Sequence, residues 1–140
     1  MTVTTIFDRF PMPPCAKLLS WHLLASDAGK GWVRVGFEAR PEFCNGSGFV
    51  QGGFVTAMLD DTMGPAVLVA SDGRAYVVSI GLQVQFLRAA RPGRFIGEGT
   101  VLQLGKSIAF VEARLHDVEG ALVATATSSA RLMPIEKLAA

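Results

Sequence analysis

Cysteine and histidine are scarce in this chain of 140 residues: Cys15, Cys44, His22 and His116 are all there is. Neither cysteine belongs to a C-x-x-C pair and the histidines stand alone. Metal-ligand spacing is therefore absent, and neither a metal nor another cofactor is expected. Two free thiols fit a reducing compartment. Net charge is also nearly missing, with 13 basic against 12 acidic residues. That balance leaves no global field for nucleic acid or an anionic membrane. No long uninterrupted apolar run occurs. The longest candidate, around 54–70, is broken by Asp60, Asp61 and Pro65 and makes a poor membrane span. The opening residues, MTVTTIFDRFPMPP, lack a basic start and an apolar centre, so no signal peptide is expected. Repeats, linkers and low-complexity tracts are missing too. These absences predict one cytoplasmic domain over 1–140 with no nucleic-acid or membrane partner.

What the chain has in excess is apolarity, with half its residues hydrophobic. A domain this small exposes much of its surface, so that excess points to apolar surface buried against a second subunit.

The patterning predicts an α+β fold. Residues 1–14 read as an irregular lead-in, and Ala16 to Leu24 as a short helix, or a helix turning into a strand. From Trp32 to Arg40, Val33, Val35, Phe37 and Ala39 alternate with Arg34, Glu38 and Arg40, which is a half-buried strand. A loop of turn formers, PEFCNGSGFVQGG, follows. Residues 54–70 are apolar on nearly every side and read as a helix buried all round, kinked or interrupted at Gly64-Pro65 and ended by Ser71-Asp72-Gly73. Four strands come next, over 79–87, 95–104, 107–118 and 121–132, joined at 90–94, 105–106 and 119–120. The expected architecture is an antiparallel four-strand meander plus one earlier strand, curled around the central helix.

Two acids, Asp60 and Asp61, stand inside the most apolar helix. An ionised carboxylate there is costly unless it is hydrogen-bonded or opens on a cleft, which marks at least one of them as functional. Their side chains point about 100° apart, so one of the two is expected to face a site. Val50-Gln51-Gly52-Gly53 lies directly before the helix. Free backbone N–H groups at a helix start, approached closely across glycine, suit an oxyanion hole. Gly52 and Asp60 are eight residues apart, or about 12 Å along a helix axis. Both reach one carbonyl only if two antiparallel helices from two subunits face each other, which predicts a two-fold dimer with shared sites.

The segment NGSGFVQGGFVTAMLDD (45–61) resembles the signature of hotdog-fold thioesterases of the phenylacetate-degradation type: Asn, a glycine-bearing loop, His-Gly-Gly, then an acid seven residues after the second glycine. Asn45, Gly52, Gly53 and Asp60 fall in register, and the similarity continues through SIGLQVQFLRAARPG (79–93) and LGKSIAF (104–110). The resemblance implies a hotdog fold and hydrolysis of an acyl-CoA or aryl-acyl-CoA thioester. It assigns Asp60 to activate water or attack the thioester. It gives the Gly52 N–H the task of polarising the carbonyl, and Asn45 that of positioning water or substrate. Ser79 matches a hydroxyl near the carboxylate. Gln51 stands where the family has histidine, and its amide is expected to brace the loop. It forms part of a substrate surface with Gly53, Arg88 and Lys106, the last two toward CoA phosphates together with Arg91 and Arg94. The assembly implied is a homodimer or a dimer of dimers. Because Gln51 cannot titrate, a non-catalytic dimer that binds acyl-CoA is the alternative. A hydratase would pair aspartate with a nearby histidine, and this loop has none.

Overall fold

A computed structural model describes residues 5–138; the first four residues of the expected lead-in and the last two of the single-domain span 1–140 lie outside them. The elements in chain order are α1 (Pro14–Leu18), β1 (His22–Asp27), β2 (Trp32–Ala39), α2 (Gly52–Ala70), β3 (Ala75–Phe86), β4 (Gly93–Leu104), β5 (Ile108–Asp117) and β6 (Leu122–Pro134). One antiparallel sheet has the order β1-β2-β4-β5-β6-β3. The helix α2 touches all six strands. This is the α+β hotdog arrangement of a sheet wrapped around one long helix.

Of the two readings of 16–24, the helix turning into a strand is the one found: α1 is followed by the edge strand β1, which gives the sheet six strands rather than five. The meander differs from expectation, with three strands rather than four, because β3 pairs with β6 and not with β4. The chain crosses the sheet face as α2, runs along the far edge as β3, and returns through 87–92 to lay β4 against β2. Three strand spacings of about 4.8 Å require about 14 Å, and those six linking residues reach about 20 Å when extended.

Close approach of helix and sheet is built from small residues. On β4, a Cβ at Gly97 would collide with Thr62 Oγ1, and one at Gly99 would lie 2.9 Å from the Thr62 backbone oxygen. Val33, Val35, Phe37 and Ala39 of β2 are buried as the alternation predicts, with Ala109, Val111, Ala113 and Leu115 of β5 beside them. The buried faces meet Val55, Met58, Leu59 and Val67 of α2 in one core.

The interruption expected at Gly64-Pro65 does not occur, since α2 continues through Pro65. Proline has no N–H to give the carbonyl four residues earlier, that of Asp61. The Trp21 indole Nε1–H donates to that Asp61 oxygen at 2.9 Å instead. A side chain that precedes β1 thereby fills the gap in the helix ladder. At its C-terminus α2 closes through Gly73, whose φ of +76° is the left-handed conformation glycine tolerates, with Gly73 N–H donating to Leu68 O at 2.9 Å.

Trp21→Phe is expected to lower unfolding free energy by about 1–3 kcal/mol, since it leaves the Asp61 carbonyl without a donor. In a Pro65→Ala background the backbone N–H at position 65 can take over, and much of that cost should vanish. Urea unfolding of the four proteins measures this coupling; additive costs would show that the indole acts through packing alone.

Candidate active site

A cleft of about 280 Å³ opens between α1, α2 and β3. Cys15 and Leu19 line it on one side, Asp60 and Asp61 on the helix, and Val77 and Ser79 on the strand. A broader depression of about 360 Å³ beside Asp27, Lys30, Trp32 and Thr100 contains none of the expected site residues.

Ser79 reaches the helix because of a bulge. The β3–β6 register shifts between Ser79 and Gly81, leaving Ile80 as the extra residue. Before the bulge Val77 and Ser79 face α2: a Cβ on Gly64 would contact Val77, and the Ser79 hydroxyl donates to Asp60 Oδ1 at 3.2 Å. After it the inward phase passes to Val84, which joins the core, and to Phe86, whose ring lies 3.3 Å from a Cβ built on Gly52. A regular strand would turn Ser79 and Phe86 to opposite faces, because their separation of seven is odd.

The two acids differ in environment. Asp60 is exposed and held by Ser79. Asp61 is half-buried, and its Oδ2 is sealed from solvent with no hydrogen-bond partner among the described residues. Burial first, and the neighbouring Asp60 second, push its carboxyl up to about 7. Both residues border the cleft. The expectation that an offset of 100° lets one face a site is corrected here, because the cleft spans α1 to β3 and is wide enough to reach both.

The helix start is prepared differently from expectation. Gln51 is the N-cap, is exposed, and makes no side-chain hydrogen bond among the described residues. The bracing expected of its amide is done by its backbone: Gln51 N–H donates to Phe43 O at 2.8 Å, and Gln51 O accepts from Phe54 N–H at 2.9 Å. Val50 N–H donates to Ala90 O at 2.8 Å, and Phe43 stacks on Phe54 with centroids 4.2 Å apart. The Gly52 and Gly53 amides find no acceptor among the described residues, and a Cβ on Gly53 would meet open space. Asn45 Oδ1 accepts from Ser47 N–H at 2.9 Å and Phe49 N–H at 3.3 Å, which shapes the 45–49 loop and leaves the side-chain amide free. Within one chain, then, Asp60 and Ser79 meet midway along α2, and Asn45, Gln51, Gly52 and Gly53 gather at its start.

The basic residues are likewise divided. Arg88 follows β3, where its N–H donates to Val123 O, near the start of α2. Lys106 sits in the β4–β5 turn, where Ser107 O accepts from Leu132 N–H, level with Val77. Eleven residues separate those levels on β3, or about 35 Å. Arg91 lies over the Phe49 ring at 5.3 Å. Arg88 and Lys106, both expected toward CoA phosphates, therefore lie far apart within a chain. The pattern reading also missed Trp21 and Cys15. A proline four residues after Asp61 was the available signal that the Asp61 carbonyl needs an outside donor.

Residues 47–124 match the family model of the thioesterase superfamily. The chain is similar to the phenylacetic acid degradation-related protein of Ralstonia eutropha JMP134, with 31% identity and a TM-score of 0.84 over 90% of this chain and 95% of that one. It superposes on the PaaI protein of the E. coli phenylacetic acid degradation operon with a TM-score of 0.74 at 20% identity, over 86% and 85% of the two chains. A Streptococcus mutans UA159 protein bound to acetyl CoA matches with a TM-score of 0.71 at 20% identity, over 81% and 89%. At that identity the last two likenesses bear on the fold alone.

Asp61 makes stability depend on pH. Its folded pKa of about 7 exceeds the ordinary carboxyl value of 3.8, so between these pH values the folded chain holds a proton that the unfolded chain has released. Stability should fall as pH rises from about 4 to about 7, by on the order of 3 kcal/mol from this group. Asp61→Asn should remove that slope. Urea midpoints from pH 4 to 8 at fixed protein concentration check it, and an unchanged slope in Asp61→Asn would assign the pH dependence elsewhere.

Proposed function

Because this chain belongs to the thioesterase superfamily, whose chemistry is thioester hydrolysis, we propose that it converts acyl-CoA to free acid and CoA with Asp60 as the catalytic carboxylate. The observation that carries this reading is the Ser79–Asp60 hydrogen bond of 3.2 Å at the wall of a cleft beside the edge strand β3. The hydroxyl fixes one oxygen of the carboxylate. The other is free to take a proton from water as the water oxygen attacks the thioester carbon.

The working unit in this reading is a homodimer of single-domain chains joined along β3. That strand has twelve residues, lies at the sheet edge, and exposes Val78, Ile80 and Phe86 by 51%, 63% and 56%. A long apolar edge with unpaired backbone groups favours a second strand over water. Antiparallel pairing of two β3 strands sets the start of each against the end of the other. The Gly52 amide near Phe86 of one chain then approaches Asp60 near Ser79 of its partner, supplying the donor that lies about 12 Å away within a chain. Arg88 and the partner's Lys106 come together in the same way, which suits the phosphates of CoA. The Streptococcus mutans protein shows that this fold can hold acetyl CoA.

Asp60→Asn should lower kcat by at least ~100-fold on a panel of acetyl-, hexanoyl- and phenylacetyl-CoA, read by thiol release, with the dimer intact by sedimentation. Mixing Asp60→Asn with Gly52→Pro, each inactive alone, should restore activity on subunit exchange, since each heterodimer holds one complete site. Confirmed exchange without recovery would place each site within one chain. Saturable acyl-CoA binding by the wild type without thiol release would make this a binding module instead.

A further inference from the structure

Asp61 borders the cleft but has no task in the reaction so far. Its Oδ2 is buried without a partner, so its other oxygen is the one the cleft can reach. A carboxylate oxygen sealed from water with no donor is poorly tolerated, whereas the carbonyl oxygen of a neutral carboxyl costs much less to bury. A neutral Asp61 places its C=O inward and its O–H toward the cleft. Around it stand Asp60 on the same helix, Cys15 across the cleft on α1, and the uncharged Val77 and Ser79 of β3. The Trp21 indole holds the Asp61 backbone oxygen, which fixes the residue in place.

We propose that Asp61, in its protonated form, is a second oxyanion donor, hydrogen-bonding the thioester carbonyl oxygen while Asp60 activates water. The inference rests on the acyl-CoA reading above. As the water oxygen bonds to the carbonyl carbon, its proton passes to Asp60 and the C=O π electrons move onto the carbonyl oxygen. Asp61 keeps its proton and holds that oxygen. On collapse the C–S bond breaks, the electron pair leaves with sulfur, and the proton on Asp60 passes to the thiolate. A donor aimed at developing charge in a water-poor site is the strongest device available to such a centre, and a carboxylic acid kept neutral by its surroundings can serve as one. The donor requires the proton, which burial and Asp60 retain up to about pH 7.

The test compares Asp61→Asn, which keeps an N–H donor of similar shape, with Asp61→Leu, which has none. On phenylacetyl-CoA at pH 6, kcat should fall at least ~100-fold in Asp61→Leu and less than about tenfold in Asp61→Asn. Wild-type kcat should decline above about pH 7, as Asp61 loses its proton, and Asp61→Asn should show no such decline. A readout free of turnover uses the ketone analogue of phenylacetyl-CoA, with CH2 in place of sulfur. Its carbonyl stretch should drop on binding to wild type at pH 6 and to Asp61→Asn, but not to Asp61→Leu. A stretch indifferent to residue 61, an alkaline decline that persists in Asp61→Asn, or failure of the ketone to bind would each overturn the proposal. Absence of wild-type turnover with the ketone bound and its stretch lowered would refute the hydrolase reading, and the Asp61 donor would stand.

Discussion

The whole arrangement depends on how closely α2 can lie on β4. Gly97 and Gly99 present no side chain, so Thr62 settles against bare backbone and returns its hydroxyl to Met58 O at 2.8 Å. Buried alanines on β5 and β6 keep the rest of the floor shallow. A helix sunk that deep touches every strand and has almost no solvent face. Ionisable side chains on it find room beside β3 and α1, and that is where Asp60 and Asp61 emerge. The apolar packing thereby decides where the chemistry can be.

Polar groups in such a helix have to be accounted for one at a time. Pro65 frees a carbonyl, and Trp21 takes it. The free amides at Gly52 and Gly53 find no acceptor within the described chain, while the loop before them is clamped by Phe43 O, Ala90 O and the Phe43–Phe54 stack. A rigid loop that leaves two amides open is preorganised for an outside oxygen.

Much of this was legible in the residues, and the failures have physical causes. Alternation placed β2 correctly, because a strand buried on one face records its register in every second residue. The all-round apolarity of 54–70 announced a helix enclosed by sheet. Strand pairing was not legible: the β3 pattern suits a neighbour on either side, and only the crossing of α2 decides for β6. The bulge at Ile80 left no mark, since Ile80, Leu82, Val84 and Phe86 read as unbroken alternation although the strand changes phase beneath them. The Asp60–Ser79 contact followed from family resemblance. The burial of Asp61 did not, because sequence spacing gives angles around a helix but not the width of the cleft it faces. Gln51 was assigned a side-chain brace that its backbone provides instead.

The bulge and the acid pair answer the same constraint. Without Ile80 as an extra residue, Ser79 and Phe86 would face opposite sides of the sheet, and one strand could not line both the start and the middle of α2. With it, β3 holds Asp60 through Ser79 at the middle of α2 and backs Gly52 through Phe86 at its start, while its outer edge stays open. Adjacent acids at that wall would repel each other and any anionic ligand if both were ionised. Their unequal burial removes the conflict near neutral pH. The exposed Asp60 meets solvent and a serine hydroxyl, and burial pushes the Asp61 carboxyl toward its neutral form. The depth to which α2 is sunk into the sheet thus gives the two consecutive acids unlike surroundings, one exposed and held by Ser79, the other with an oxygen sealed from solvent.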